Sequence, residues 1–449
     1  MTAPLDAIIL GGGPAGCAAA IELALAGRRV AVVERSVAAH DKVCGDFLSS
    51  EALCSLSSLG LNLPALGAVP IHRVRLAGSL GISSAELPFA AQSLTRRTID
   101  AALLERAAAA HALVLRGHSA ESLHRVDNLW RATILGPTHT FTLSAPHIFL
   151  ATGKHDLRGL PRPLLGTHAD LVGLKMYLRL APAQLAELRD TIELFLIPGG
   201  YGGLSLVEKP LDHPVQHTQA QEGVISTAAE AAAQAQESVI TTGAQRSGET
   251  CISDSHGLEA NPANLCFVIQ RSLLRDAGRG WDALSAFLTQ TPHLRTRLAG
   301  ADPLLARPLA ISPIPYGLLR RHAIAENLWA IGDQAAVIPS FTGDGLALAL
   351  HSGRLAAHTM LAHRSAHDYH AELYKQLRHQ LTLATVLSRS LVAQPFWGSQ
   401  GTLSLGLKRT LLELTARLFP STLRAVASHT RLAPEYLLPR LPKNSCAPA

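Results

Sequence analysis

Three patterns in the sequence predict an α/β chain with a Rossmann-like domain on a parallel sheet, a second domain on an antiparallel sheet, and a C-terminal helical region. The first is a strand–turn–helix–strand run between Asp6 and Glu34. The second is a group of strand-like segments at 71–89, 194–207 and 265–270, punctuated by Gly and Pro. The third is a series of helical segments across 366–432.

The chain has 449 residues, enough for about three structural units and a sizeable core without disulfides or a structural metal. With 47% hydrophobic and 16% charged residues, the composition is globular and excludes disorder throughout. Lys and Arg number 40 against 34 Asp and Glu, a formal charge of +6 without a block of like charges. This disfavours a nucleic-acid partner and suits small anionic ligands or lipid headgroups. Cys17, Cys44, Cys54, Cys251, Cys266 and Cys446 show no CxxC spacing, so a reduced, cytoplasmic protein is expected. The apolar run Ala7 to Leu10 follows Asp6 and leads straight into glycines, unlike a secretory signal. No stretch of about 18 apolar residues could cross a membrane. The 21 histidines include no HExxH or Cys/His ligand spacing, so no metal site is expected.

In order, Asp6–Leu10 reads as a buried strand, Pro14–Ala26 as a helix with Ala19, Leu23 and Leu25 inward, and Arg29–Glu34 as a second strand. Residues 71–89 form a two-stranded excursion. Thr98–His111 reads as a helix, followed by strands at Leu113–Arg116 and Ala145–Ala151. Leu194–Val207 reads as strand, glycine turn, strand, and Leu265–Gln270 as a third strand. Leu328–Ile331 returns to a buried strand, and Leu346–Met360 to a helix. These elements predict a discontinuous first domain (1–70, 95–160 and 310–365), a second domain (71–94 and 161–309) and a helical region (366–449). Residues 211–260, rich in Ala, Gln, Ser, Thr and Gly, read as a mobile insert.

The sharpest chemical signal is GGGPAG at 11–16, between a strand and a helix. Gly11 permits the turn, Gly13 lets backbone approach a pyrophosphate, and Gly16 lets the helix pack on the strand, while Pro14 and Ala15 open the helix. The helix N-terminus attracts the anion. Glu34, followed by Arg35, stands 18 residues beyond Gly16, placed to accept from ribose hydroxyls and to repel a 2'-phosphate. The ligand expected is FAD or NAD rather than NADP.

Further segments are IGDQAAVIPSFTGDGLALAL (331–350), KVCGDFLSSEAL (42–53), RRTIDAALLERA (96–107) and GGYGGLSLVE (199–208). Together with the glycine loop they resemble the FAD-dependent oxidoreductases of the geranylgeranyl reductase and p-hydroxybenzoate hydroxylase superfamily, across most of residues 5–365. The resemblance implies that Asp333 binds the ribityl chain, where a carboxylate makes charge-assisted hydrogen bonds. It implies that Gly343, Asp344 and Gly345 lie against the flavin ring, with a helix N-terminus favouring negative charge there. Cys44, in a loop similar to the Cys-Gly loop of the reductase-like branch, is implied beside the ring as the candidate catalytic residue. Arg97, paired with Asp100, is implied near FAD, with Arg96 competing for that role. Ser49, Ser50 and Glu51 read as helix-start chemistry. Tyr201 is a candidate wall of the substrate pocket.

Where hydroxylases carry an Asp-Gly motif serving FAD and the nicotinamide donor, this chain reads ATGKHDLRG (151–159), with Thr152 in the aspartate's place. That leaves NAD(P)H or another reductant as the electron donor. Trp130, Trp281, Trp329 and Trp397 are isolated, which disfavours the Trp-x-Trp motif of halogenases. The basic, apolar tail, including Leu403–Leu418, suits either a cap over a pocket or peripheral contact with an anionic membrane. The expected function is double-bond reduction on an apolar, isoprenoid-like or lipid-like substrate. The alternatives are hydroxylation of an aromatic or polyketide-like ring, and a non-catalytic nucleotide-binding protein at a membrane.

Overall fold

Leucine- and valine-rich runs of three to five residues build the first sheet. Ala7–Leu10 lies at its centre between His147–Leu150 and Val30–Glu34, with Leu328–Ala330 and Leu113–Arg116 at the edges, and every pairing is parallel. Strands covered on both faces need uninterrupted apolar character. Ala7, Ile9, Val32 and Phe149 pack against the helices Pro14–Leu25, Arg96–Ala109 and Gly345–Leu361, whereas Ile8, Leu10, Val33 and Ile148 point the other way. The computed structural model describes residues 4–164, 166–209, 261–277, 280–393, 403–418 and 420–438. The 211–260 insert lies outside the described residues.

The opposite face is covered by a three-stranded antiparallel sheet, Ser119–Val126, Leu129–Leu135 and Thr140–Ala145. The sequence reading missed this sheet and joined Ala145 to the buried strand. Pro146 separates the two, because it has no N–H to donate to a ladder. A second correction concerns the first helix, where Leu25 is exposed and Glu22 takes the inward position. Glu22 accepts from Arg354 Nε at 2.6 Å, tying this helix to Gly345–Leu361. An added Cβ at Gly353 would overlap the Ala15 carbonyl oxygen, so glycine allows the two helices to touch.

The second sheet has nine strands. Along it run Asp302–Pro303, Leu171–Arg179, Ala263–Gln270, Gly200–Leu206, Thr191–Ile197, Val69–Gly78, Gly81–Ser93 and Phe47–Leu48, and Leu309–Ile311 also pairs with Leu171–Arg179. Pairing is antiparallel except between Thr191–Ile197 and Val69–Gly78, which is parallel. Phe47–Leu48, inside the 1–70 range assigned to the first domain, pairs with Ser93 and Gln92 at the edge of this sheet. Its loop therefore lies at the seam between the two sheets. Ala366–Val392, Leu403–Leu418 and Ser421–His429 form the helical region. No helix among the described residues is long and apolar enough to cross a membrane.

Candidate functional site

The glycine turn is shaped by steric demands that only glycine meets. Gly11 has φ +114°, and an added Cβ there would overlap the Ala151 carbonyl; one at Gly16 would overlap the Gly11 carbonyl. Gly13 caps the helix, with Pro14 in its first turn, and the nearest atom to a Cβ built on Gly13 is Arg96 Nη2 at 3.9 Å. That gap is an open cradle at a helix N-terminus, facing a guanidinium. Glu34 is buried at the end of its strand; its Oε2 accepts from the Gly12 N–H at 2.8 Å and its Oε1 from the Ser36 N–H at 2.9 Å. The carboxylate thus orients the loop itself. Arg35 is exposed and meets His155 Nε2 at 2.9 Å.

Arg96, not Arg97, faces this cradle. One residue along a helix is a turn of about 100°, and it leaves Arg97 exposed while Arg96 forms a two-point pair with Asp100, at 2.9 and 3.0 Å. Lys42 Nζ donates to the same carboxylate at 2.7 Å. Burial works against the Arg96 charge, but Asp100 outweighs it and raises the guanidinium pKa, with Cys44 and Asp333 acting in the same direction. Burial likewise opposes the Asp100 charge, and the Arg96 and Lys42 cations overcome it and lower that pKa. Asp333 is half-buried in the short turn Gly332–Gln334. Beside Gly11, Thr152 Oγ1 is buried without a hydrogen-bond partner. Lys154 donates to the Val43 carbonyl at 3.3 Å, and Arg158 is exposed.

Across from the cradle, Gly343 adopts φ +71° with the Phe47 ring 2.5 Å from an added Cβ, and Gly345 opens the next helix with nothing within 4 Å. Between these two glycines the Asp344 carboxylate is turned inward. It is fully buried, accepting from Ser49 Oγ at 2.9 Å and from the Leu432 N–H at 2.7 Å. Burial pushes its pKa up to about 7 despite those hydrogen bonds. Ser49 therefore serves Asp344 rather than its own helix start, where it makes no side-chain cap. Glu51 instead pairs with Arg431.

Cys44 is half-buried, and its Sγ accepts from the Asp46 N–H at 3.4 Å. Below it lies a group the sequence reading missed. Lys175 and Asp46, both fully buried, pair at 2.5 Å, and Asp46 Oδ2 also accepts from Tyr177 Oη at 3.0 Å and Asn264 Nδ2 at 2.9 Å. Burial raises the Asp46 pKa, opposed by Lys175. Asn264 also donates to the Cys44 carbonyl at 3.0 Å, so this cluster holds the loop in place. The visible signal was a lysine inside the apolar strand Leu171–Arg179.

An apolar cleft, partly open to solvent, runs from this loop between the second sheet and the C-terminal helices. Gly45, Phe47, Cys266 and Gly343 line it, as do apolar sheet residues including Leu194 and apolar helix residues including Leu391 and Leu412. Tyr201 also lines it, as the sequence suggested, with its hydroxyl 3.3 Å from Ser388 Oγ and its ring edge-on to Phe341. Burial raises the Tyr201 pKa, so the proton stays on Oη. Cys266 is pushed up to about 12 by burial and remains a thiol. Among the described residues no group of His, Cys, Asp or Glu could hold a metal ion.

Residues 4–156 match the family model described as an FAD binding domain. A menaquinone reductase of Mycolicibacterium smegmatis is 38% identical over 78 residues, 17% of this chain and 19% of that protein. The chain thus matches less than a fifth of that relative's length. Among solved structures, a geranylgeranyl bacteriochlorophyll reductase-like protein from Thermoplasma acidophilum superposes with a TM-score of 0.63 at 16% identity, covering 94% of this chain and 98% of that one. The myxobacterial chondrochloren halogenase CndH superposes with a TM-score of 0.66 at 16% identity, covering 96% and 92%.

Proposed function

We propose that this chain, which carries an FAD binding domain over residues 4–156, is an FAD-dependent oxidoreductase that reduces double bonds of a long apolar, isoprenoid-like or lipid-like substrate. The observation that carries this reading is the cleft, whose walls are overwhelmingly aliphatic and aromatic, with a few hydroxyls such as those of Tyr201 and Ser340 among them. A chain of methylene or isoprene units would gain about 0.8 kcal/mol per buried CH₂ there.

The residues present fit FAD, because Gly13 leaves open space at the helix N-terminus that a side chain would fill, Thr152 Oγ1 is an unpartnered buried hydroxyl beside the glycine turn, and Arg96 supplies a fixed cation. When bound, FAD supplies two-electron hydride-transfer chemistry. In this reading the N–H groups of Gly13, Pro14-headed Ala15 and Gly16 with Arg96 hold the pyrophosphate. Glu34 holds the adenosine ribose and Asp333 the ribityl hydroxyls. Gly343 and Gly345 leave room for the ring, and Cys44 borders it. The Asp344 carboxylate is held by Ser49 and Leu432, so only its backbone would border the cofactor. Tyr201 keeps its proton on Oη in the wall of the cleft, where it can donate to the substrate. NAD(P)H or another reductant recharges the enzyme.

The test is anaerobic. Holoenzyme carrying chemically reduced FAD should convert a polyprenyl substrate to a product heavier by two hydrogens per reduced bond, without dioxygen. Tyr201→Phe should keep the flavin and slow that conversion about a hundredfold. A product that forms only in air and carries label from ¹⁸O₂ would make the protein a hydroxylase. Absence of turnover under both regimes would favour a non-catalytic nucleotide-binding protein.

A further inference from the structure

On Leu403–Leu418 the side chains of Leu407, Leu411, Leu414 and Leu418 are 47%, 51%, 41% and 61% exposed. At about 100° per residue these four fall within an arc of about 60° on one side of the helix. The opposite side is fixed inward. Arg409 and Glu413 are buried and paired at 3.1 Å, and Arg409 Nη1 donates to the carbonyls of Ile197, Leu391 and Ala393. Leu412 and Ala416, on the inner side, line the cleft. The helix cannot rotate its leucines out of water without breaking these bonds. Leu383 and Val386, 41% and 52% exposed, extend the apolar surface onto Ala366–Val392, which packs beside it.

The exposed charges on the helices around this stripe are basic. Lys408 and Arg417 flank it on either side, and Lys375, Arg378, Arg389 and Arg424 are exposed on the neighbouring helices. Between Ala371 and His429 no described acid is exposed: Glu372 accepts from Gln376 and Glu413 from Arg409. A second copy docking here about a two-fold axis would set like charges against like. An anionic bilayer does the reverse, with leucines entering the acyl boundary and cations reaching the headgroups.

We propose that the outer face of Leu403–Leu418 docks on an anionic lipid surface, with the four leucines as its inserting edge. The helix then stands as a single layer between bilayer and cleft. The proposal stands on the surface alone and does not depend on the reaction assigned above.

The test uses full-length, FAD-loaded protein and sedimentation with vesicles of equimolar phosphatidylglycerol and phosphatidylcholine, against phosphatidylcholine alone. Binding to the anionic vesicles is expected, weakened by salt. Leu411→Glu with Leu414→Glu should reduce it at least about tenfold with flavin content and melting temperature unchanged. Should that variant fold poorly, Leu411→Trp gives an independent reading, since its added fluorescence should be quenched by brominated lipid. No binding by wild type, undiminished binding by the double variant, or an unquenched Trp would each overturn the proposal. So would a wild-type dimer that ignores vesicles and dissociates in the double variant.

Discussion

The glycine cradle and the apolar cleft are walls of one seam built in different ways. The cradle is mostly backbone, bent by Gly11 and Gly16 within six residues and aligned by Glu34. The cleft is side chains gathered from 45–47, 74–89, 192–203, 266, 340–343, 387–391 and 412–430. Backbone geometry tolerates almost no substitution, whereas a wall of many side chains shares a change among its neighbours. The difference separates what the two sites can vary: the cradle admits few substitutions, and the wall of the cleft admits many.

The largest effect that sharpens this contrast is expected at Gly16. Its missing Cβ faces the Gly11 carbonyl, a backbone atom that cannot swing aside, so Gly16→Val should abolish flavin binding and lower the melting temperature by many degrees. Retained flavin, seen in the visible spectrum of the purified variant, would break the distinction drawn above.

Next in size is Lys175→Met, behind the Cys44 loop. It leaves Asp46 buried without its cation, a loss of about 3 to 5 kcal/mol in chemical denaturation. Adding Asp46→Asn should restore part of it, since no charge is then stranded. If the double variant were less stable than the single one by the full cost of a second lesion, the two residues would not be acting as a pair.

A smaller effect distinguishes two aspartates that stand close together in the sequence. Asp333→Ala and Glu34→Ala should each weaken FAD binding by about 1 to 3 kcal/mol in a flavin titration, whereas Asp344→Asn should leave it unchanged. Asp344 should show itself in stability instead. Its folded pKa of about 7 lies above the unfolded value of about 3.9, so its contribution is complete below that unfolded value. It is lost as pH rises to about 7, at no more than about 1.4 kcal/mol per pH unit. Asn does not titrate, and Asp344→Asn should gain on wild type between pH 4.5 and 7.5. Parallel stability profiles would show that Asp344 is ionised throughout.

The features legible in the sequence were those whose signal is local. The βαβ unit, the glycine loop and the helix Gly345–Leu361 each declare themselves within about 30 residues through periodicity and turn chemistry. Arg96 was obscured by Arg97, because adjacent helical residues differ only in direction. The inward turn of the Asp344 carboxylate was hidden for a related reason: the sequence puts it beside Gly343 but does not show that Leu432, 88 residues away, supplies its partner. The 119–145 sheet was missed because Ser119–Val126 is largely half-buried or exposed and lacks a clean apolar alternation. The cleft, assembled from segments far apart in the chain, has no local pattern to read.

The claim that this cleft receives a long apolar chain is tested most directly by a chain-length series. Ligands with one head group and progressively longer alkyl or isoprenoid tails would be titrated into the oxidised holoenzyme, with affinity read from the flavin absorption. The account predicts that affinity rises about fourfold per added methylene until the cleft is full, and that Leu194→Glu, in its wall, flattens the series while flavin stays bound. Affinity set by the head group alone, indifferent to tail length in wild type and variant alike, would contradict it.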